Sequence, residues 1–237
     1  MIEKQLIVYI PCFNEEKNII KLIHSWDVAI KNTENIFILF INNGSSDKTL
    51  NKLQNNELLL NNPCMDYYDI DKNNGYGYGI LEGITNYESE HICWTHADLQ
   101  FSAEDVVKLI NKYLENNSKN HVLKGQRLNR NIIDIIFTKI MSIIGLFLKG
   151  IYISDINAQP KIFSRKFFNS ISKWPTDFSI DAHLLYSTRK TNYSLKSYEI
   201  KILPRQHEEA KGGGSLSGKF KLSINTLKYF LGLYKKY

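Results

Sequence analysis

Short apolar runs alternate with helix-like patterns along the first half of the chain. Residues 6–10, 36–41, 65–70 and 92–95 are rich in branched and aromatic side chains, as buried strands are. Between these runs, apolar residues recur every three or four positions, which predicts amphipathic helices. Strands that alternate with helices form parallel βαβ units. The pattern therefore predicts a single-domain α/β fold whose mostly parallel sheet is flanked by helices.

The second half of the chain predicts further elements in a less regular order. Strands are expected at residues 121–124, 160–164 and 193–203, and helices are expected at residues 132–148 and 180–189. No linker rich in proline or glycine separates this half from the first half. The added elements therefore extend the same domain and do not indicate a second one.

The C-terminal segment has a different character. Residues 205–218 are rich in glycine and charge, which predicts a loop, and residues 219–237 follow a helical pattern. Lysines surround an apolar stripe on this helix, which consists of Phe220, Ile224, Leu227, Leu231 and Tyr234. Such a helix can lie in a membrane interface, or it can pack on the domain with its lysines in water. We therefore divide the chain into a domain over residues 1–218 and a basic amphipathic helix over residues 219–237.

Composition and charge limit the class of protein. The 237 residues are 43% hydrophobic and 23% charged, as expected of a soluble globular protein. The net charge of +6 favours a phosphorylated ligand or an anionic membrane surface, and no nucleic-acid recognition motif accompanies it. The three cysteines are scattered, a strand follows the first few residues directly, and no uncharged apolar run reaches about 20 residues. These features predict a cytoplasmic protein without a spanning helix.

The strongest candidate for chemistry lies where the fourth predicted strand ends. His96, Asp98 and Gln100 follow this strand, and a helical pattern begins at Ser102. In open α/β sheets, ligands bind at the carboxyl ends of the strands. A carboxylate, an amide and an imidazole in this place can hold a hard divalent cation and, through it, a diphosphate. The alternative is that Asp98 and Ser102 only cap the helix.

Further polar motifs follow the first three strands. Residues 11–15 (Pro-Cys-Phe-Asn-Glu) and 42–47 (Asn-Asn-Gly-Ser-Ser-Asp) reach the same edge of the sheet. Asparagine can donate to and accept from the edge of a nucleotide base, although each motif alone is more often a turn. Residues 73–79 (Asn-Asn-Gly-Tyr-Gly-Tyr-Gly) bring glycines to a helix start. There, backbone amides can approach a phosphate, or the segment can be a flexible turn.

The order and spacing of these motifs resemble those of the family 2 glycosyltransferases, which have the GT-A fold. The resemblance is strongest to the polyprenyl-phosphate mannosyl- and glucosyltransferases, the branch that is similar to dolichyl-phosphate mannose synthase. It continues through residues 124–127, 155–163 and 204–207. The resemblance implies a Rossmann-like GT-A domain. It also implies an enzyme that moves a sugar from a nucleotide-diphosphate sugar to an acceptor and inverts the anomeric carbon.

The resemblance assigns donor-binding roles to particular residues. Pro11, Phe13 and Glu15 would flank the nucleotide. Asn42 or Asn43 would read the base. The other residues implied in donor binding are Asn73, Gly75, His96, Ala97 and Asp98. All of them follow predicted strands, so the resemblance and the strand-end argument indicate the same edge of the sheet.

The resemblance also implies a metal site and a set of cationic residues. Asp98 and Gln100, with His96, would bind Mg²⁺ or Mn²⁺ that bridges the diphosphate. Arg127 and Arg205 would help to hold the diphosphate or an acceptor phosphate. A metal and arginines would disperse the negative charge that the leaving group gains when the glycosidic bond breaks.

Two mechanisms are possible, depending on the chemical class of the acceptor. A saccharide hydroxyl needs a general base, for which Asp181 is the candidate. A polyprenyl phosphate is already anionic and needs no base, so Asp181 would then orient other groups. Either acceptor would place the enzyme in lipid-linked sugar or cell-surface polysaccharide synthesis. The C-terminal helix would then hold it peripherally at the inner face of the membrane.

Several positions depart from the usual pattern of the family. Asn42 or Asn43 stands where aspartate is usual, and an amide keeps the hydrogen bonds to the base. His96 stands where a second aspartate is usual, which removes a hard anionic ligand, and Tyr76 stands where lysine is common. These departures leave a non-enzymatic alternative, a nucleotide-sugar-binding protein with a degraded metal site.

Overall fold

A computed structural model describes residues 5–33, 35–115, 120–129, 132–204 and 216–232. The described residues form one seven-stranded sheet with helices on both faces. The strands are β1 (Leu6–Cys12), β2 (Ile36–Asn43), β3 (Met65–Ile70), β4 (His91–Trp94), β5 (His121–Leu128), β6 (Lys161–Ser164) and β7 (Ser194–Lys201). The helices are α1 (Ile19–Ile30), α2 (Thr49–Gln54), α3 (Glu57–Asn61), α4 (Tyr76–Asn86), α5 (Ala103–Glu115), α6 (Ile132–Lys149), α7 (Arg165–Asn169), α8 (Ile180–Ser187) and α9 (Leu216–Phe230).

The sheet has the strand order β3-β2-β1-β4-β6-β5-β7. The first four strands are parallel to one another, β6 runs antiparallel to β4 and β5, and β7 is parallel to β5. The predicted α/β architecture with a mostly parallel sheet is therefore confirmed. Because β1 to β4 are parallel, the motifs that follow them lie along one edge of the sheet.

The sheet separates two hydrophobic cores, and β1 contributes to both. Leu6, Val8 and Ile10 face the layer that contains α1 and α5. Ile7 and Tyr9 face the layer that contains α4 and α8. The side chains of a strand alternate between the two faces of its sheet. A continuous apolar run such as β1 is therefore buried on both sides.

The first helix begins later than the sequence predicts. The acidic motif at Asn14 predicts a helix start, but α1 begins at Ile19 and has no acidic residue in its first turn. Asn14 has a left-handed backbone (φ 55°), and the Glu15 amide donates to Thr49 Oγ1 at 2.7 Å. Bonds to the neighbouring loop therefore keep this segment from joining the helix.

Other boundaries also differ from the predicted ones. The sequence also predicts one helix after residues 42–47, with Ser46 or Asp47 as its cap. The structure divides this helix into α2 and α3, because the Asn56 side chain accepts from the Leu59 amide and starts a new helix. The terminal helix begins at Leu216, inside the loop predicted for residues 205–218. The predicted helical residues 233–237 lie outside the described part of the chain, and the division of the chain at residue 218 stays a prediction.

The packed face of α9 is not the predicted apolar stripe. Thr226, Tyr229 and Phe230 are buried, whereas Leu227 and Leu231 of the predicted stripe are exposed. The side chains of Phe220 and Tyr234 lie outside the described set. The helix packs against α6 and α8 through the aromatic pair. The described part of α9 therefore packs on the domain and also presents apolar side chains to solvent.

The long helix α6 packs closely on its neighbours through small residues. A side chain at Gly145 would come within 1.9 Å of the Tyr186 hydroxyl. The Ser142 hydroxyl is buried and donates to the Ile153 carbonyl at 2.7 Å. Neither α6 nor any other helix within the described residues is long and apolar enough to cross a membrane.

The close approach of β5 to the loop before β6 generates a stability prediction. The Gly125 amide donates to the Pro160 carbonyl at 2.9 Å, and a Cβ at Gly125 would lie 1.9 Å from the Gln159 carbonyl oxygen. We expect Gly125→Ala to lower the free energy of unfolding by about 2 kcal/mol in urea denaturation. Gln126→Ala, on the same strand with an exposed side chain, should change it by less than about 0.5 kcal/mol. Equal stability of the two variants would contradict the packing described.

Candidate functional site

The loops that follow β1 and β2 are joined by hydrogen bonds into one unit. The Asn14 amide donates to Ser45 Oγ at 3.0 Å, and the Ser46 amide donates to Asn14 Oδ1 at 2.7 Å. The Glu15 amide donates to Thr49 Oγ1. Each loop thereby satisfies polar groups of the other, so the two predicted motifs lie side by side at the carboxyl edge of the sheet.

The residues predicted to flank a nucleotide lie on the β1 side of this unit. Pro11 is buried and pairs in register with Ile41 of β2. Phe13 is exposed at the rim of the sheet edge. Glu15 is half-buried, and its carboxylate accepts a hydrogen bond from Asn18 Nδ2 at 2.6 Å. Phe13 and Glu15 are therefore accessible to a ligand, whereas Pro11 lies within the sheet.

The two asparagines predicted to read the base are buried at the end of β2. Asn42 Nδ2 donates to Asp69 Oδ1 at 2.7 Å, and Asn42 Oδ1 accepts from the Ser45 amide at 3.3 Å. Asn43 Nδ2 donates to the Gly75 carbonyl at 3.0 Å, and its Oδ1 has no hydrogen-bond partner among the described residues. Sequence reasoning missed Asp69, which places an exposed carboxylate beside Asn42.

The glycine-rich segment is packed tightly and is not a flexible turn. Asn73 Oδ1 accepts from the Gly75 amide at 2.9 Å. Gly75 has φ 124°, and a Cβ there would lie 2.2 Å from the Thr176 carbonyl oxygen. That carbonyl also accepts from the Tyr78 amide at 2.8 Å. The glycine permits close contact between the start of α4 and the loop before α8, and this contact uses one of the amides predicted to approach a phosphate.

The loop after β4 presents Asp98 to the edge of the sheet. Leu99 has a left-handed backbone (φ 59°), and Asp98 Oδ1 accepts from the Gln100 amide at 3.2 Å. Ser102 Oγ accepts from the Asp105 amide at 3.1 Å. Ser102 therefore caps α5, as one alternative predicted, whereas the Asp98 carboxylate accepts from the Gln100 amide within its own turn. Asp98 remains half-buried at the sheet edge.

His96 lies in an aromatic stack beside this carboxylate. Its ring centroid lies 5.5 Å from that of Tyr76, which in turn stacks on Phe178 at 4.6 Å. Burial lowers the pKa of His96, and the carboxylates of Asp98 and Asp181 oppose that effect. The ring is therefore neutral at pH 7, and its unprotonated nitrogen is suited to accept a hydrogen bond or to bind a metal.

Asp181 is completely enclosed by donors. Its carboxylate accepts from Trp94 Nε1 at 3.0 Å and from Gln159 Nε2 at 3.1 Å, and it pairs with Lys161 Nζ at 3.2 Å. Both charged side chains are buried. Burial lowers the pKa of Lys161, and Asp181 opposes this shift. In this arrangement Asp181 acts as the counterion of a buried lysine.

The structure describes one of the two arginines predicted for phosphate binding. Arg127 makes a bidentate ion pair with Asp155, with Nε to Oδ1 at 3.0 Å. Arg205 lies outside the described residues. Nearby, the Leu203 amide donates to the Gln100 carbonyl at 2.8 Å. The chain that leads to Arg205 therefore passes beside the Asp98 loop.

The structure brings several predicted residues into one electrostatic cluster. The pKa of His96 responds to the charges of Asp98, Asp181 and Arg127, so three segments meet here: the loop after β4, which carries both His96 and Asp98, with α8 and β5. Sequence reasoning missed the part that Lys161 plays in this cluster. The sequence does contain a signal for this role, because a lysine stands at the start of a short apolar strand, where a buried charge without a partner would be destabilising.

The residues present supply part of a metal site. Within the described ranges, no three His, Cys, Asp or Glu side chains are grouped so as to hold a metal ion. Asp98 offers one half-buried carboxylate and His96 offers a neutral imidazole. Mg²⁺ is usually bound by one or two carboxylates together with substrate phosphates. The donor set therefore fits a divalent cation only when a diphosphate supplies further oxygen ligands.

Comparison with protein families gives matches over much of the chain. The profile described as Glycosyl transferase family 2 matches residues 7–172. YkcC, an uncharacterized glycosyltransferase of Bacillus subtilis (strain 168), is 29% identical over 112 residues. That match covers 47% of this chain and 34% of YkcC, so the chain matches about a third of its relative's length.

Solved structures share the fold at low sequence identity. Glucosyl-3-phosphoglycerate synthase from Mycobacterium tuberculosis, in complex with Mn²⁺, UDP and glucosyl-3-phosphoglycerate, has a TM-score of 0.74 and 13% identity. The match covers 97% of this chain and 81% of that chain. The mannosyltransferase PcManGT from Pyrobaculum calidifontis, in complex with GDP-Man and Mn²⁺, has a TM-score of 0.65 and 13% identity, with 88% and 59% coverage. These likenesses confirm the GT-A fold.

The environment of His96 generates a prediction about its titration. We expect an NMR titration of the imidazole to give a midpoint below 6.5, because burial disfavours the charged ring. Asp98→Asn should lower the midpoint further, since it removes a carboxylate that favours the charged form. The His96→Gln spectrum identifies the resonance. A midpoint above 6.5, or a rise in Asp98→Asn, would contradict the described cluster.

Proposed function

The chain belongs to glycosyl transferase family 2, and we propose that it transfers a sugar from a nucleotide-diphosphate sugar to a polyprenyl phosphate, with inversion of the anomeric carbon. The family membership rests on the profile match over residues 7–172. The choice of acceptor rests on one observation, the complete enclosure of the Asp181 carboxylate. A general base must reach the proton that it removes.

The donor occupies the carboxyl edge of the sheet in this proposal. Phe13 and Glu15 flank the nucleotide, and Asp69 with Asn42 supplies polar groups for the base. The arrangement of these loops side by side supports the proposal, because a nucleotide diphosphate must contact several strand ends at once. Asn43 and the Asn73–Gly75 turn support the site from below through hydrogen bonds to the backbone of Gly75.

Asp98, with His96 and Gln100, would hold the divalent cation together with the diphosphate. A divalent cation, when bound, offsets the negative charge that develops on the leaving nucleotide diphosphate. Mn²⁺ is present in the cited structures of the mycobacterial synthase and the archaeal mannosyltransferase. The neutral imidazole of His96 suits Mn²⁺ better than Mg²⁺, because Mg²⁺ prefers oxygen ligands.

The buried pairing of Asp181 supports an acceptor that needs no base. Its oxygens already accept hydrogen bonds from Trp94 and Gln159 and pair with Lys161. A phosphate monoester is anionic at neutral pH and attacks the anomeric carbon without losing a proton to the protein. A saccharide hydroxyl would require Asp181 to leave its partners. The buried ammonium group of Lys161 would then have no counterion.

Two alternatives remain distinct from this proposal. One is transfer to a saccharide hydroxyl, or to a hydroxyl of another glycan precursor, with Asp181 as base. The other is a nucleotide-sugar-binding protein without activity, which the single carboxylate at Asp98 favours. The two experiments that follow separate these alternatives from the proposed reaction.

The role of Asp181 is tested by kinetics with both classes of acceptor. UDP- and GDP-sugars are incubated with the purified protein, Mn²⁺ and either a short polyprenyl phosphate or a saccharide, and the labelled product is measured. With polyprenyl phosphate, we expect kcat for Asp181→Asn within about tenfold of wild type, whereas loss of a general base costs about 10²–10⁴-fold. A larger loss, or product only with the saccharide, would contradict the proposed acceptor.

A control is needed because Asp181→Asn leaves Lys161 buried without its counterion. Breaking one partner of such a pair costs about 3–5 kcal/mol of stability. The double variant Asp181→Asn/Lys161→Gln removes both charges and should recover most of that loss in thermal unfolding. If the double variant folds stably and is inactive with polyprenyl phosphate, the Asp181–Lys161 pair is required for more than stability and the proposal fails.

The metal site is tested by calorimetry of nucleotide-sugar binding with and without Mn²⁺. We expect Mn²⁺ to tighten binding by tenfold or more, about 1.4 kcal/mol. Asp98→Asn should abolish this effect, because it removes the carboxylate ligand, while binding without metal stays similar. Tight binding that is indifferent to Mn²⁺ and yields no product would favour the non-catalytic alternative. No binding of any donor would contradict both.

A further inference from the structure

The helix α6 directs one row of apolar side chains away from the protein. Ile132 is 74% exposed and Phe147 is 82% exposed. Exposed apolar residues recur every three or four positions between them, so they lie on one face of the helix. The residues of this outer face are Ile132, Ile136, Ile140, Ile143, Leu146 and Phe147.

The inner face of α6 packs on the domain, where Met141 and Ile144 contact the apolar core. Ser142 is buried against the Ile153 carbonyl, and Gly145 lies against the Tyr186 hydroxyl. Thr138, one turn before Ser142, is half-buried. A helix on the surface of a water-soluble domain normally buries its apolar stripe and exposes its polar residues. In α6 the outer face exposes apolar side chains although the inner face already packs on the core, so the outer face is expected to contact an apolar phase.

Cationic side chains lie on and beside this apolar surface. Lys139 and Lys149 of α6 are exposed, and α9 adds the exposed Lys228 beside Leu227 and Leu231. Lys149 Nζ lies 5.7 Å above the Tyr229 ring, which joins the end of α6 to α9. Over their lengths, α6 contains a single acidic residue and α9 contains none. The surface is therefore both apolar and positively charged.

We infer that the outer face of α6 is a docking surface for an anionic phospholipid bilayer, with the helix lying flat in the interface. Its apolar row is about 22 Å long at 1.5 Å per residue. Apolar side chains enter the boundary of the acyl chains, and the lysines contact anionic headgroups. This inference goes beyond the proposed function and does not depend on which acceptor is used.

A second copy of the chain fits the same surface less well. In a symmetric dimer the same patch would occur on both subunits. The lysines of one copy would then approach those of the other, and like charges repel. An anionic bilayer complements the lysines and also accepts the apolar row. The charge pattern therefore favours the bilayer.

The docking surface is attached directly to the candidate site. The excursion that contains α6 leaves β5 after Arg127 and returns at Asp155, and these two residues form the bidentate ion pair. Both ends of the excursion are therefore held at the edge of the site. Docking through α6 would bring that edge to the membrane surface. The sequence alone placed membrane contact on the C-terminal helix.

Vesicle sedimentation of the full chain tests the docking surface. We expect binding to phosphatidylcholine vesicles that contain phosphatidylglycerol, and Ile140→Asp/Ile143→Asp should weaken it by at least tenfold. Ile20→Asp is the matched control, because Ile20 is 48% exposed, close to the 49% of Ile140 and the 46% of Ile143. It lies on α1, which packs on the opposite face of the sheet. The control should bind as the wild type does.

A separate variant tests the contribution of the lysines to vesicle binding. Lys139→Gln/Lys228→Gln should weaken binding to the anionic vesicles by about fivefold for each lysine. Binding to vesicles of phosphatidylcholine alone should be unaffected by the same change. Raised salt should weaken the wild type towards the level of this variant.

Several results would overturn the inference. These are no binding of the wild type to anionic vesicles, equal binding by the α6 variant, or equal loss in Ile20→Asp. A wild-type dimer in light scattering that Ile140→Asp/Ile143→Asp converts to a monomer, without vesicle binding, would assign the face to a second copy. Thermal unfolding checks the fold, and Phe147→Ser repeats the test at the most exposed side chain. Donor binding by calorimetry on the same samples separates a failure of docking from a failure of the proposed function.

Discussion

The ammonium group of Lys161 is buried beneath the candidate site, and Asp181 is its counterion. A buried charge without a partner is strongly destabilising, so these two side chains must meet for the chain to fold as it does. The pair joins β6 to α8, and the Asp181 carboxylate also accepts from Trp94 on β4 and from Gln159 before β6. The positions of four segments at the site therefore depend on one ion pair.

A second ion pair connects this site to the surface of the molecule. Arg127 and Asp155 hold together the two ends of the excursion that contains α6. The pair is partly accessible to solvent and borders the cluster that includes His96. A shift of α6 at a membrane would therefore change the position of Arg127. The same residues that stabilise the fold thus connect the proposed docking surface with the proposed chemistry.

Much of the architecture was predictable, because continuous apolar runs and helical periodicity are local patterns. The strands and their common edge, with Asp98 and the motifs after β1 and β2, follow from these patterns. The start of α1 at Ile19 was not predictable, since hydrogen bonds from the next loop hold Glu15 outside the helix. The hydrogen bond from Asn42 to Asp69 was not predictable either, because the two residues are distant in sequence.

The sequence by itself determined the fold class, the family and the edge of the sheet where chemistry is expected, because these depend on local patterns and ordered motifs. Only the tertiary structure decided that Asp181 is enclosed by Lys161 and its neighbours. It also decided which of the apolar residues of α6 are exposed, which the composition of that helix does not reveal. The physical reason is that burial and pairing depend on contacts between distant segments. A lysine or an isoleucine has the same letter in the sequence whether it faces the core, a counterion or solvent.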